Sequence, residues 1–339
     1  MYDRFFGLGK SPFSMTPNPD ALLLTDAHRE ALAGLGYAIV QRKGFVVLEG
    51  EAGTGKTTLL RKLLQMLPDT QAQTSVVLNP VLSASEFLEL LLHNFGLTDL
   101  PPSKAQRLIR LEEVLLEANR AGRAPVLMID EAHKLSREVL EEIRLLTNFE
   151  TNDQKLLQIV LSGQPELKDL LNHPDLRQLK QRVAVRLRIQ NLTQIEVKEY
   201  LLHRWAWAEA TTPLPFTGEA ISLIALWSRG IPRLINSICD NALLLAFSTN
   251  SETVGPALIL EVVKDLDLGL ASENGPAKAL RAITSGNHPA PVASVAPVTA
   301  RHQNEVLRLG TLDRYMPAQR GFLGIRWRPK GLVTTNNGI

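Results

Sequence analysis

Cysteine is nearly absent from the chain. Cys239 is the only one in 339 residues, so no disulfide can form within it. That fits a reducing compartment and leaves stability to packing. Long apolar runs are missing too. A bilayer span needs about 20 predominantly apolar residues, and the longest candidates, "NALLLAF" and "ALILEVV", are short and flanked by polar side chains. The opening "MYDRFFGLGKSPFSM" lacks the basic and long apolar regions of a secretory signal. A cytoplasmic protein is therefore expected, one that reaches a membrane only through a partner. An excess of one charge sign is also lacking. The 37 Lys and Arg against 35 Asp and Glu leave a net +2, so composition implies no acidic partner. His28, His93, His173, His203, His288 and His302 are scattered without metal-ligand spacing. They are expected at surface or helical positions, with no zinc. No internal repeat is evident.

What is present is apolar content of 45% and enough length for two domains and a tail. Residues 1–45 form an N-terminal segment: an irregular Gly- and Pro-rich stretch, then a helix for which Asp26 is the expected N-cap. Short apolar runs at 44–50, 75–80, 124–130 and 156–163 then alternate with amphipathic helical patterns. This α/β alternation predicts a parallel sheet covered on both faces, with its domain at 46–190. From 191 to 268 the pattern is helical only and predicts a small all-α bundle or lid. In that region Cys239 and the tryptophans Trp205 and Trp207 are expected to pack rather than act. Residues 269–305 read as a flexible Pro/Ala-rich linker. Residues 306–339 read as a short basic tail that is either disordered or in contact with nucleic acid or anionic lipid.

The chemistry concentrates in "GEAGTGKT", Gly50 to Thr57, between an apolar strand and a helix. This is the pattern of a phosphate-binding loop. Gly50, Gly53 and Gly55 allow backbone angles closed to other residues, so main-chain amides can turn inward around a polyanion. Glu51, Ala52, Thr54 and Thr58 complete the stretch expected to line the nucleotide. The helix adds the positive end of its dipole. Lys56 can reach β- and γ-phosphate oxygens, and the Thr57 hydroxyl can ligate Mg2+.

A second stretch, "VLMIDEAH", places Asp130 and Glu131 at the carboxyl end of a buried strand. Ligands bind at that edge of open α/β sheets. Asp130 is expected to hold Mg2+ through water, and Glu131 to orient or deprotonate the attacking water. In isolation the two carboxylates would equally suit a solvated turn. The letters "DEAH" invite a helicase reading, but the accompanying domain pair is not evident, and His133 is expected to be an ordinary residue of the following helix. Asn79 ends the second strand, where it can either bond Glu131 or serve as a turn residue before Pro80.

These stretches, with "SGQPEL" and "GIPRLIN", resemble an AAA+ ATPase of the general secretion pathway protein A (ExeA/GspA-like) family over about residues 1–265. The resemblance implies a P-loop AAA+ sheet domain followed by a helical lid. It implies ATP and Mg2+ as ligands, a homo-oligomer, and a protein partner in a secretion or envelope assembly. It makes Gln164 the first sensor of the γ-phosphate or water and Arg233 the second sensor on the lid. In "LRQLKQRVAVRLRI" it implies an arginine finger that completes a neighbour's site, with Arg182 the first choice and Arg177 the second. The residues themselves leave open a plain solvated charge run there, since Lys180, Arg186 and Arg188 lie beside them. Some family members continue into a membrane span and a peptidoglycan-binding domain; a linker and basic tail are expected here in their place.

Three functions follow as expectations. One is an ATP-hydrolysing protein that oligomerises and remodels a partner complex. Another is a DNA-associated ATPase regulator of the transposition type. The third is a nucleotide-gated interaction switch with negligible turnover.

Overall fold

A parallel sheet of five strands in the order β2-β3-β4-β1-β5 carries the first half of the chain. The computed structural model describes residues 2–67, 72–78 and 80–268; Asn79, the expected linker and the expected tail lie outside them. Along the chain the sheet region runs α1 Tyr2–Phe5, α2 Asp26–Val40, β1 Phe45–Glu49, α3 Lys56–Met66, β2 Ala72–Val77, α4 Ala84–Asn94, α5 Lys104–Arg120, β3 Ala124–Ile129, α6 Arg137–Leu146, β4 Gln158–Gly163, α7 Glu166–Leu171, α8 Arg177–Arg182 and β5 Val185–Arg188. The lid helices are α9 Gln194–Trp207, α10 Gly218–Ser228, α11 Pro232–Ser248 and α12 Pro256–Asp265. Among the described residues no helix is long and apolar enough to cross a membrane.

The continuous apolar runs of β1, β3 and β4 follow from burial on both faces, because successive side chains alternate sides. Val46, Leu48, Val126, Met128 and Val160 meet Leu35, Leu59 and Leu63 of α2 and α3. Phe45, Val47, Leu127, Ile129, Ile159 and Leu161 meet Phe87, Leu91, Leu115 and Ile143 of α4, α5 and α6. The fifth strand was not among the expected strands. Its residues alternate half-buried Val185 and Leu187 with exposed Arg186 and Arg188, the mark of an edge strand.

The start of α2 is a correction. Thr25, not Asp26, is the N-cap; its hydroxyl accepts the His28 amide, and Asp26 is the first helical residue.

The lid core gathers Leu201, Ile224, Ile238, Leu243 and Ile259 from its four helices, together with Tyr2, Phe6 and Phe13 from the other end of the sequence. Phe6 meets the ring of Trp205 edge-on at 6.2 Å. Arg204 donates to the carbonyl of Pro12, and Asn236 donates to that of Ser14 at 3.3 Å. Tyr2, Phe6 and Phe13 thus pack with the lid, while α2 packs on the sheet. At the junction into the lid, Leu192 donates its amide to the Gly230 carbonyl at 2.8 Å. Gly230 has φ +71°, and a Cβ there would stand 1.9 Å from the Leu192 oxygen, so only glycine fits.

Candidate nucleotide-binding site

β1 lies between β4 and β5, while the chain that leaves it crosses to the far strand β2. That reversal opens a crevice at the carboxyl edge beside β1. The loop after β1 fills it. Gly50 donates to the Gly163 carbonyl of β4 at 3.2 Å. Gly53 and Gly55 take φ of +80° and +96°. α3 starts directly after Gly55 with no side-chain cap, whereas α4, α5 and α6 are capped by Ser83, Ser103 and Ser136. The first amides of α3 are thereby left for an external acceptor.

Lys56 is buried and donates to the carbonyls of Gly50 and Glu51, each at 2.8 Å. Burial lowers its pKa below the ordinary lysine value, against the opposing pull of Asp130, Glu131, Glu166 and Glu51. The ammonium therefore sits with no carboxylate in ion-pair range among the described residues, a charge short of a full counter-anion. The Thr57 hydroxyl donates to Asp130 Oδ2 at 2.5 Å. Asp130 Oδ1 accepts from the Ser162 hydroxyl at 2.8 Å and from the Glu131 amide at 3.0 Å. These groups fit a magnesium nucleotide: inward amides, a buried ammonium, and a hydroxyl beside a carboxylate.

Glu131 follows in the left-handed region, φ +54°, a conformation uncommon outside glycine. Burial would raise the pKa of its carboxyl, but Lys134 at 3.2 Å, with His133 and Lys56 nearby, holds it below the usual glutamate value. Gln164 follows β4 directly, and its side-chain amide lies 3.2 Å from His133 Nε2. His133 is not an ordinary helix residue: it lies in a single 3-10 turn, Ala132–Lys134, with its ring between Glu131 and Gln164. From the lid, Arg233 donates its amide to the Gly53 carbonyl at 3.2 Å. A Cβ on Gly53 would come within 2.7 Å of Arg233 Cβ.

A cavity of about 370 Å³ is lined by Ala52 through Thr58, Glu131, Gln164 and Arg233, and also by Ser14–Asn18, Tyr200, Arg204 and Asn236. Of the residues singled out in sequence, Gly50, Glu51, Asp130, Arg177 and Arg182 do not line it. Arg182 ends α8, exposed, and donates to Asn148 Oδ1 at 2.9 Å; Arg177 begins the same helix, also exposed. Three contributors escaped sequence reading. Ser162 was visible only as a hydroxyl in an apolar strand. His28 is 2% exposed, with Nδ1 2.7 Å from the Thr25 hydroxyl and Nε2 3.3 Å from the Thr54 carbonyl. The lid face of Tyr200, Arg204 and Asn236 had no local signal at all.

Comparison with known proteins agrees with this geometry. Residues 39–171 match the AAA domain family. General secretion pathway protein A of Aeromonas hydrophila is 44% identical over 255 residues, covering 75% of this chain and 46% of that protein. The chain thus spans about half the length of the curated relative it matches. Among solved structures, Cdc6p of Pyrobaculum aerophilum superposes with TM-score 0.56 at 18% identity, covering 78% of this chain and 70% of that one. The ORC1 protein of Aeropyrum pernix, in complex with DNA, gives 0.57 at 17% over 76% and 69%. The RuvB Holliday junction branch migration motor of Thermotoga maritima gives 0.51 at 21% over 87% and 85%. These three show a shared fold.

Proposed function

We propose that the chain, similar to the AAA domain family over residues 39–171 and to general secretion pathway protein A over 255 residues, is an AAA+ ATPase that binds ATP with Mg2+ and hydrolyses it to ADP and phosphate. The observation that carries this is the convergence of Lys56, Thr57, Glu131 and Gln164 on one cavity, with Asp130 bonded to Thr57 behind it. The amides of Gly53, Gly55 and the first turn of α3, Lys56 to Thr58, would cradle the phosphates, and Lys56 would neutralise the β- and γ-oxygens. Magnesium, which Thr57 and Asp130 would hold, would offset the negative charge of the phosphates. Glu131 would accept the proton of a water that attacks the γ-phosphorus as the bond to the bridging oxygen breaks. Gln164 would orient the γ-phosphate or that water, and Arg233 would bring the lid's charge to the phosphates. The base and sugar would lie between Ser14–Asn18 and the lid face of Tyr200 and Asn236.

The exposed Arg182 stands outside this chain's own cavity, which supports a role in a neighbouring copy's site. Activity then requires a homo-oligomer. Lid motion against the sheet would remodel a partner complex in a secretion or envelope assembly, with the protein at the cytoplasmic face of the membrane. The test is ATPase rate per subunit against protein concentration, for wild type and Arg182→Ala. A rate that rises with concentration and is lost in the variant is expected. A concentration-independent rate, unchanged by the substitution, would sink the shared site.

One observation favours a second reading, a DNA-associated ATPase. Arg177, Lys180, Arg182, Arg186 and Arg188 are all exposed, and residues 177–188 include no acidic side chain. Salt-sensitive, ATP-dependent binding to duplex DNA is the expected signature. No retention at low salt removes this reading.

A further inference from the structure

We propose that His133 is a positioning residue that couples Gln164 to Glu131, an inference that rests on the hydrolysis reading above. The 3-10 turn that carries His133 can approach β4 because that strand ends in Gly163. A Cβ there would stand 3.3 Å from the His133 amide nitrogen. The ring is then nearly enclosed, with its side chain 12% exposed, between the ends of β3 and β4.

Three contacts define its state. Nδ1 accepts the Gln164 main-chain amide at 3.4 Å. In the neutral ring the proton therefore sits on Nε2. Nε2 lies 3.2 Å from the side-chain nitrogen of Gln164; two N–H donors cannot bond each other, so we assign that amide with its oxygen turned toward the ring. The same Nε2 lies 3.7 Å from Glu131 Oε2. One N–H thus stands between two acceptors and can serve only one of them well. With Gln164 engaged, Glu131 is held by Lys134, whose Nζ lies 3.2 Å from the same Oε2. When the Gln164 side chain turns to a γ-phosphate, the Nε2–H of His133 becomes free to donate a hydrogen bond to Glu131 Oε2. That bond swings the carboxylate toward the ring and away from Lys134. Loading of the site by a triphosphate is thereby linked to alignment of the base, whereas a diphosphate offers Gln164 nothing to turn to.

The experiment uses the full chain with Mg2+. A fluorescent ATP analogue gives affinity, and phosphate release gives kcat and KM, for wild type, H133A, H133N, Q164A and H133A/Q164A. We expect affinity within about twofold of wild type and a kcat about tenfold lower in H133A, the scale of a small misplacement of reacting groups. The double variant should be no slower than the slower single one, because the two residues act in one chain of contacts. Asparagine, which retains an N–H donor, should recover part of the loss. Should H133A fail to fold, the same coupling with Q164A is read in H133N. A kcat within twofold of wild type, or losses that multiply in the double variant, would overturn the coupling. Wild type that binds ATP but releases no phosphate removes the hydrolysis reading and this inference together; active wild type with unaffected variants removes only the inference.

Discussion

The two walls of the cavity are held in opposite ways. On the sheet side each charged group is held by hydroxyls or the main chain: Lys56 by two carbonyls, Asp130 by the hydroxyls of Thr57 and Ser162. On the lid side Arg204 and Asn236 spend their donors on the carbonyls of Pro12 and Ser14, while the Arg233 side chain is exposed and only its amide is tied down. A rigid wall suits groups that must meet a transition state without reorganising. A wall pinned through backbone contacts suits a part that moves. Substitutions on the sheet side should therefore abolish chemistry, and those on the lid side should tune it. The largest expected effect is Lys56→Ala, with phosphate release falling by about a thousandfold together with a loss of ATP binding by calorimetry. Glu131→Gln should fall by at least about a hundredfold while still binding ATP. If the two variants lose binding alike, the division of labour within the sheet wall is wrong.

The next effect concerns stability and asks whether the N-terminal segment truly belongs to the lid. Phe13 is fully buried in the lid core, as Phe45 is in the sheet core. Both Phe→Ala substitutions should cost about 3–4 kcal/mol in urea unfolding at neutral pH. A cost below about 1 kcal/mol for Phe13→Ala alone would show that the segment rests on the lid without completing its core.

That shared burial also marks the limit of what the sequence discloses. The cradle was legible because its parts are local: glycines, Lys56 and Thr57 lie within eight residues, and Asp130 and Glu131 end an apolar run. Four of the five strands were legible because burial on both faces makes them continuous apolar segments. β5 was not, since an edge strand alternates and its arginines read as a charge run. Nor could composition show that Phe6 and Phe13 pack beside Trp205 and Phe216, because those partners lie about two hundred positions away. His133 was misjudged for a related reason. It follows β3, but its partner Gln164 follows β4, 31 residues further along the chain. A helix was assumed where the structure makes one 3-10 turn.

Arg233→Ala tests the movable wall directly. Its side chain should contribute a charge to the phosphates without being essential to the cradle, so kcat should fall by about tenfold, or about 1.4 kcal/mol. The melting temperature without nucleotide should change little, because the amide that bonds Gly53 is retained in the variant. A loss as deep as that of Lys56→Ala would place the arginine among the fixed groups and erase the contrast between the walls.

The smallest effect belongs to His28, which braces the cradle from below by facing the Thr54 carbonyl. Burial drives its pKa below the ordinary histidine value, opposed by the Thr54 contact and by Glu196. The sign follows from linkage. Above about pH 7 the ring is neutral in both folded and unfolded chains and adds no slope. As the pH falls below the unfolded value of about 6.5, the unfolded chain takes up a proton that the folded one resists, and stability declines by at most about 1.4 kcal/mol per pH unit. The decline ends once the folded-state pKa is passed. His28→Gln removes this slope and can still bond the Thr54 carbonyl through its amide. Urea unfolding at pH 7.5 and 5.5 should therefore show wild type losing more stability than the variant over that interval. Equal losses would mean that the ring takes a proton as readily in the folded chain as in the unfolded one. The brace beneath the cradle would then be open to solvent, and the sheet-side wall less rigid than its hydrogen bonds imply.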